Sequence, residues 1–398
     1  MLKNKLLALL LGAVLLFGCS GVKLDLPAAV QPDPTPAPTA APTPEPTPQV
    51  TTLRFSATGD NLIHQGIYKQ ANRRAGGEGY DFSYCYENVR DFYADFDINW
   101  INQETLINDK YEPATYPCFS TPGQMAHDLY DVGFRVFSIS NNHTYDKGAG
   151  GIEATLEFWD TMPEDTVVCG LYRGQEDYSN ITLQTVNGVT IAYLAYTEHT
   201  NGIPTPSGAV ANVIYTSELD VIESQITQAA QLADLVVVSN HWGVEGSHTI
   251  TDAQRNLAQQ MVDWGADVII GTHPHVVQDA QWLTAADGRQ CFVAYSLGNY
   301  LNAQSTMDTM IGAVLDFTIQ KTTQPDGTSE TVIQSPVLHP VINHYDANYG
   351  NIRLYWFQDY TDELASQHGV RAKYPEFSRS YISNVLTNTI SEEFLDMA

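Results

Sequence analysis

Positive charge is scarce in this chain: 19 Lys and Arg stand against 46 Asp and Glu, a formal net charge of −27 over 398 residues. A surface of that sign repels the backbone of nucleic acid and anionic lipid headgroups, which excludes nucleic acid as a partner and electrostatic adhesion to a membrane. Cysteine is sparse as well. There are five, and no two are spaced as a zinc knuckle requires. After the N-terminus no stretch is long and apolar enough for a transmembrane helix, and no internal repeat is visible.

The N-terminus is different. Lys3 and Lys5 precede an apolar run from Leu6 to Phe17, too short to span a bilayer comfortably, which closes on Leu16-Phe17-Gly18-Cys19. This reads as a lipobox: residues 1–18 are a lipoprotein signal peptide, cleaved before Cys19, which then carries the acyl chains. An ordinary secretory signal with an incidental Cys is the other reading. The first places the mature protein on the extracytoplasmic face of the cell membrane, anchored by lipid and not spanning it.

Residues 32–48 are almost entirely Pro, Thr and Ala. Such a stretch cannot bury a core and favours extended polyproline II, so residues 19–50 are read as the lipidated Cys plus a semi-rigid spacer. The remaining 350 or so residues are enough for one large domain or two modest ones. With Cys19 assigned to lipid, Cys85, Cys118, Cys169 and Cys291 remain, an even number in an oxidising compartment. One or two disulfides are open, with Cys85–Cys118 the first pair to consider. Burial as free apolar side chains is equally open.

Periodicity divides the rest into alternating elements. Strands are expected at 53–58, 98–101, 135–140, 167–172, 234–239 and 267–270, and helices at 122–133, 151–162, 218–233 and from Thr251 to Trp264. Asn187-Gly188, Asp287-Gly288 and Asp326-Gly327 mark hairpin turns. The alternation implies an α/β fold with mixed sheets. Residues 51–302 hold the motifs, 303–345 read as a β extension, and 346–398 as a partly helical C-terminal segment without an interpretable motif.

Several of these apolar strands run into chemistry. They deliver, in order, Asp60, Glu104, Asn142 with His143, His241, and the His273-Pro274-His275 loop. In open α/β sheets the carboxyl ends of strands are where loops converge into sites. Alone, each residue has an ordinary explanation as a cap or a hydrogen-bonded histidine. The ordered set does not. Mixed imidazole and oxygen donors without Cys suit manganese, iron or zinc, and argue against a structural zinc site.

The stretches Thr58-Gly-Asp-Asn-Leu-Ile-His64, Asn102-Gln-Glu104, Ser140-Asn-Asn-His143 with Asp146 and Gly148, His241-Trp-Gly-Val-Glu245, Gly271-Thr-His-Pro-His-Val-Val-Gln278 and Tyr295-Ser-Leu-Gly-Asn299 together resemble the bacterial capsule synthesis protein CapA family, associated with poly-γ-glutamate synthesis. That family in turn is similar to the calcineurin-like metallophosphoesterases. The resemblance implies a four-layer αββα sandwich with two divalent transition-metal ions (Mn, Fe or Zn) at one edge. Glu104 would bridge them. Asp60 and His275 would bind the first, and Asn142, His241 and His273 the second. His143 would be a general acid oriented by Asp146, with Asn299 and Glu245 on the substrate side.

This chain departs from the phosphoesterase pattern at two points. Asn61 follows Asp60 and the first His is His64, so a ligand role for His64 is open. The bridging residue is Glu instead of Asp. Two functions compete: a cell-surface metal-dependent hydrolase acting on a phosphoester or γ-glutamyl bond, or a non-catalytic component of a polymer synthase complex that binds anionic polymer through its metals.

Overall fold

The structure is a computed structural model and describes residues 47–398; the expected signal peptide, Cys19 and most of the Pro-rich stretch lie outside the described residues. Fourteen strands are described. In chain order they are β1 (Gln49–Asn61), β2 (Ile98–Gln103), β3 (Val136–Ser138), β4 (Val167–Cys169), β5 (Thr182–Val186), β6 (Val189–Thr197) and β7 (Leu235–His241). They continue with β8 (Val268–Thr272), β9 (Ala280–Thr284), β10 (Gln290–Ala294), β11 (Asn299–Leu301), β12 (Ile311–Thr323), β13 (Ser329–Asp346) and β14 (Gly350–Trp356). The helices are α1 (Gln65–Arg74), α2 (Ser83–Tyr86), α3 (Gln124–Val132), α4 (Gly148–Trp159), α5 (Leu219–Leu232), α6 (Asp252–Trp264), α7 (Asp362–Gln367) and α8 (Arg379–Thr389).

Two mixed sheets form. The larger runs β14-β13-β12-β1-β2-β3-β4, with β11 alongside the end of β1, and the smaller runs β5-β6-β7-β8-β10-β9. Strands β1 to β4 are mutually parallel, as are β6, β7, β8 and β10. The long hairpin arms β12 and β13 are antiparallel. The sheets pack face to face. Their inner faces meet through alternate apolar residues such as Phe55, Trp100 and Phe317 on one side and Tyr193, Val237 and Ile270 on the other. A bond from the Ser138 hydroxyl to the Ser239 hydroxyl, 3.0 Å, ties the two layers together.

Helices cover both outer faces. The opposite residues of β6, β7, β8 and β10 (Leu194, Val238, Ile269, Val293) pack with Ile222 and Ile226 of α5 and Met261 of α6 in a separate cluster. On the far side of the larger sheet, Asn99 donates to the Tyr93 and Gly133 carbonyls beside α3, and Phe137 packs on Trp159 of α4. This is the expected four-layer α/β sandwich.

Local signals explain where elements stop. Thr251 caps α6 through a reciprocal capping box with Gln254, and Gly265 ends it at φ 129°. Asn187-Gly188 makes the turn between β5 and β6, both at positive φ.

Three expectations change. The first strand begins at Gln49, inside the expected spacer, because Gln49 and Val50 pair with Thr323 and Thr322 at the far end of β12. The C-terminal segment contributes β14 to the larger sheet and is fastened at its end, where the Leu338 amide donates to the Phe394 carbonyl. Cys85, Cys118, Cys169 and Cys291 are all free thiols, so the considered Cys85–Cys118 bridge is not formed.

Candidate metal centre

The parallel strands place the site. Asp60 is the penultimate residue of β1, and Glu104 follows β2 directly. Asn142 and His143 lie in the loop after β3, His241 ends β7, and His273 and His275 follow β8. β1, β2 and β3 are neighbours in one sheet and β7 and β8 in the other, so their carboxyl ends meet at one edge of the sandwich. Gly59 is needed there: a Cβ at this position would lie 1.9 Å from the Gly298 carbonyl oxygen, on the backbone that the Asp60 amide bonds at 2.9 Å.

All seven side chains are buried and close together. The His275 Nδ1 lies 3.1 Å from Asp60 Oδ2, and its Nε2 lies 3.7 Å from Glu104 Oε1. The His241 Nε2 lies 3.0 Å from Asn142 Oδ1, 3.2 Å from His273 Nδ1 and 3.7 Å from Glu104 Oε1. Asp60, Glu104 and His275 each present a donor atom within 4.8 Å of the others, a buried Asp/Glu/His group able to hold a metal ion. His273 and His275 adopt φ 97° and 60°, left-handed conformations that an L-residue holds only at a cost of about 1–3 kcal/mol each. That strain aims both rings inward from a loop of three residues.

Glu104 is the test of whether a cation fits. Its carboxylate is fully buried and neither oxygen has a hydrogen-bond partner. An orphaned buried carboxylate is costly unless a cation meets it. Burial, reinforced by Asp60, Glu245 and Asp146 and only partly offset by His275, pushes its pKa well above the usual range. Burial also pulls His275 down, but Glu104 and Asp60 outweigh this and hold it at about 9. Burial and the neighbouring imidazoles keep His241 and His273 far below their ordinary value, neutral and with lone pairs available. The Thr272 hydroxyl, 3.0 Å from His241 Nδ1 and directed towards the Asn240 carbonyl, accepts the Nδ1 proton and leaves Nε2 bare. The donor set fits divalent transition ions.

His143 is set apart from this cluster. Its Nδ1 lies 2.7 Å from Asp146 Oδ2, which also accepts from the Phe119 amide at 2.6 Å. The Nε2 edge faces Glu104 Oε1 at 4.0 Å. Its ring is held by Phe119, edge-on at 4.7 Å.

His64 does not present a free ligand nitrogen. Its Nδ1 is 3.2 Å from the Ala303 amide and 3.1 Å from the Leu62 carbonyl, and one neutral nitrogen cannot serve both. The Leu62 oxygen already accepts from the His64 amide at 3.0 Å, whereas the Ala303 amide has only this acceptor. Nδ1 therefore accepts, and Nε2 carries the proton and is a donor. Asn299 is buried with both amide protons used, on Gln304 and the Thr309 carbonyl, leaving only Oδ1 without a partner. Glu245 is exposed on the loop after His241, with its charge felt at Glu104 and His275.

The structure adds residues to which the motifs gave no role. Asn102 donates to Asp60 Oδ1 at 2.8 Å. Asn201 accepts from the Asn142 amide at 3.2 Å and lies 3.4 Å from His143 Nδ1. The His199 ring stands edge-on to His273 at 4.9 Å. Both belong to the loop following β6, another parallel strand of the same sheet, so the strand-end signal applied to them as well.

Residues 54–304 match the profile of the family described as bacterial capsule synthesis protein PGA_cap. A capsule biosynthesis protein CapA from Bacillus anthracis is 31% identical over 278 residues, 67% of this chain and 63% of the relative. A PGA biosynthesis protein CapA from Bacillus subtilis is 34% identical over 193 residues, 48% of this chain and 49% of the relative. The chain thus spans about half to two thirds of the curated relatives it matches. Among solved structures, a 5′-nucleotidase from Candida albicans is similar at 11% identity and a TM-score of 0.37, over 84% of this chain and 56% of that one.

Proposed function

From the premise that the chain belongs to the bacterial capsule synthesis PGA_cap family, we propose that it is a cell-surface metal-dependent hydrolase that acts on a phosphoester or γ-glutamyl bond during synthesis of an anionic capsule polymer. The observation that carries this reading is Glu104, buried and bare, with imidazole nitrogens of His143, His241 and His275 within 4.0 Å of one oxygen. Asp60 and His275 would hold one ion, Asn142, His241 and His273 a second, with Glu104 serving both. The ions, manganese, iron or zinc, would polarise substrate oxygens and make water a nucleophile near neutral pH.

The chain's own residues account for the proton. Asp146 fixes the Nδ1–H of His143, so Nε2 is the atom that delivers a proton to the departing oxygen or nitrogen. Water adds to phosphorus or to the γ-carbonyl carbon, giving up one proton to solvent, the bond to the leaving group breaks, and His143, having given that group its Nε2 proton, is left neutral. Phe119 is fully buried and packs on the His143 ring, and His273 and His275 are buried on the other side. In the same reading Cys19 carries a lipid anchor on the extracytoplasmic face of the membrane, and the Pro-rich stretch spaces the domain from it. A polymer synthase complex is the partner. No described helix is long and apolar enough to cross a membrane.

The test is hydrolysis by the manganese-loaded chain of p-nitrophenyl phosphate and of γ-glutamyl oligomers. Turnover of either that is lost on chelation supports a hydrolase. Metal-dependent binding of oligomers with no turnover of any substrate would favour the non-catalytic polymer-binding role instead.

A further inference from the structure

A cleft of about 400 Å³ opens beside the metal centre, lined by His64, Lys69, Arg73, Thr115, Asn348 and Tyr349 among others. In a chain of net charge −27 it has no acidic lining residue. A larger cleft, by contrast, is rimmed by Asp234, Asp263, Asp267, Asp287 and Glu330 around a single cation, Arg289. Lys69 and Arg73 are exposed on α1, four residues apart, and neither forms an ion pair among the described residues. Like charges at that spacing weaken a helix, so the pair is unfavourable for α1 by itself.

The cleft is built. Buried Gln70 donates to the Tyr349 carbonyl and accepts from the Ile352 amide, fastening the turn at 347–349 against α1. In that turn Asn348 and Tyr349 hold φ 58° and 56°, left-handed backbone that is retained only where surroundings impose it. At the inner end stands His64, whose Nε2 is a donor. Its ring packs edge-on against Phe119 at 5.3 Å, and Phe119 in turn packs against His143 at 4.7 Å. The cleft therefore leads to the general acid's side of the metal centre.

We propose that this cleft is an anion subsite that holds the carboxylates of a polymeric substrate flanking the bond cleaved at the metals, with Lys69 and Arg73 as its charged contacts. The assignment rests on the hydrolase reading for the position of that bond. Two cations spaced about 6 Å along the helix axis suit singly charged groups on successive units better than one compact dianion. Protonated Nε2 of His64 and the Thr115 hydroxyl add neutral donors at the inner end.

The test is calorimetric binding of a γ-glutamyl decamer to the manganese-loaded full chain. The double variant Lys69→Gln/Arg73→Gln should bind it more weakly by about tenfold per cation lost. Its metal content and thermal midpoint should match the parent. The control Lys110→Gln/Lys373→Gln makes the same change of net charge elsewhere and should keep the parental affinity. A decamer with its side carboxylates amidated should not distinguish parent from double variant. Equal affinity of parent and double variant for the acidic decamer, an equal loss in the control, or no binding by the parent each overturns the subsite. If polyphosphate binding is lost in the double variant while decamer binding is kept, the cleft takes phosphate and the carboxylate assignment falls. Failure of the hydrolase reading shows separately, as absence of turnover by the parent, and leaves the binding comparison readable.

Discussion

Asn142 and His143 are adjacent, yet the backbone after β3 sends their side chains to different tasks: the Asn142 carbonyl oxygen to His241 Nε2, the His143 ring to Asp146 and Phe119. Removal of each should read differently. His143→Ala should leave metal content and thermal midpoint near those of the parent while turnover falls about 10²–10⁴-fold, the range for a lost general acid. If metal is lost with it, the histidine is a ligand and the roles are misassigned. Glu104 makes the complementary case. A buried carboxylate with no hydrogen-bond partner is met most fully when cations bind, so metal should raise the thermal midpoint of the parent by mass action. Glu104→Ala should abolish most of that rise and lower metal content at both positions, measured by elemental analysis beside a melting curve. Full occupancy in the variant would remove its bridging role.

Between elements, the loop carrying Glu245 is tied to the C-terminal region through His248, whose Nδ1 lies 2.8 Å from the Val277 carbonyl and Nε2 3.4 Å from Asp308 Oδ2; Asp308 also accepts from Tyr381 of α8. Burial lowers the His248 pKa, but the Asp308 and Val277 contacts outweigh it and raise it; Asp308 is lowered, chiefly by His248. A raised histidine stabilises fully below its unfolded value of about 6.5 and loses this as pH rises through the folded one. A lowered carboxylate stabilises above about 3.9 and loses this as pH falls. Both contributions overlap between about pH 4 and 6.5, so the gap in thermal midpoint between parent and His248→Gln should be wider at about pH 5 than at about pH 8.5. With side chains 27% and 33% exposed the pair is worth under about 1 kcal/mol, and a gap that ignores pH would show that the contact is packing alone. Elements of this kind were not legible in the sequence, because they join residues 29 to 73 positions apart with no periodic signal. The strand ends were legible: an apolar run stopping at Asp60, His241 or His273 is a local pattern, and the parallel sheet turns it into a site. His199 and Asn201 obeyed the same rule after β6 but stood in no motif. β14 was hidden because its pairing with β13 depends on a partner already in the sheet, and the start of β1 because Gln49 and Val50 are ordered by β12, not by their own composition.

For the whole molecule, charge sets how a polyanion can arrive. Residues 1–46 hold three Lys and three acids, so the entire −27 resides on the domain that carries the site. On the proposed reading the far field would repel an acidic polymer, while Lys69, Arg73 and bound metal would attract it only at close range. These two effects respond to salt in opposite ways. Between about 0.01 M and 0.15 M ionic strength the Debye length falls from about 30 Å to about 8 Å, which removes the far repulsion but leaves contacts within the cleft largely intact. Association of a γ-glutamyl decamer with the metal-loaded chain should therefore quicken as salt rises over that range. Dissociation should also quicken, more gently, as the Lys69 and Arg73 contacts weaken. A binding pair of opposite charge shows the reverse, with association slowing as salt screens its attraction. Stopped-flow measurement at several salt concentrations separates the two rates. An association rate that falls with salt would mean that the cations and metals govern the approach from a distance, and that the acidic surface is too dispersed to oppose it.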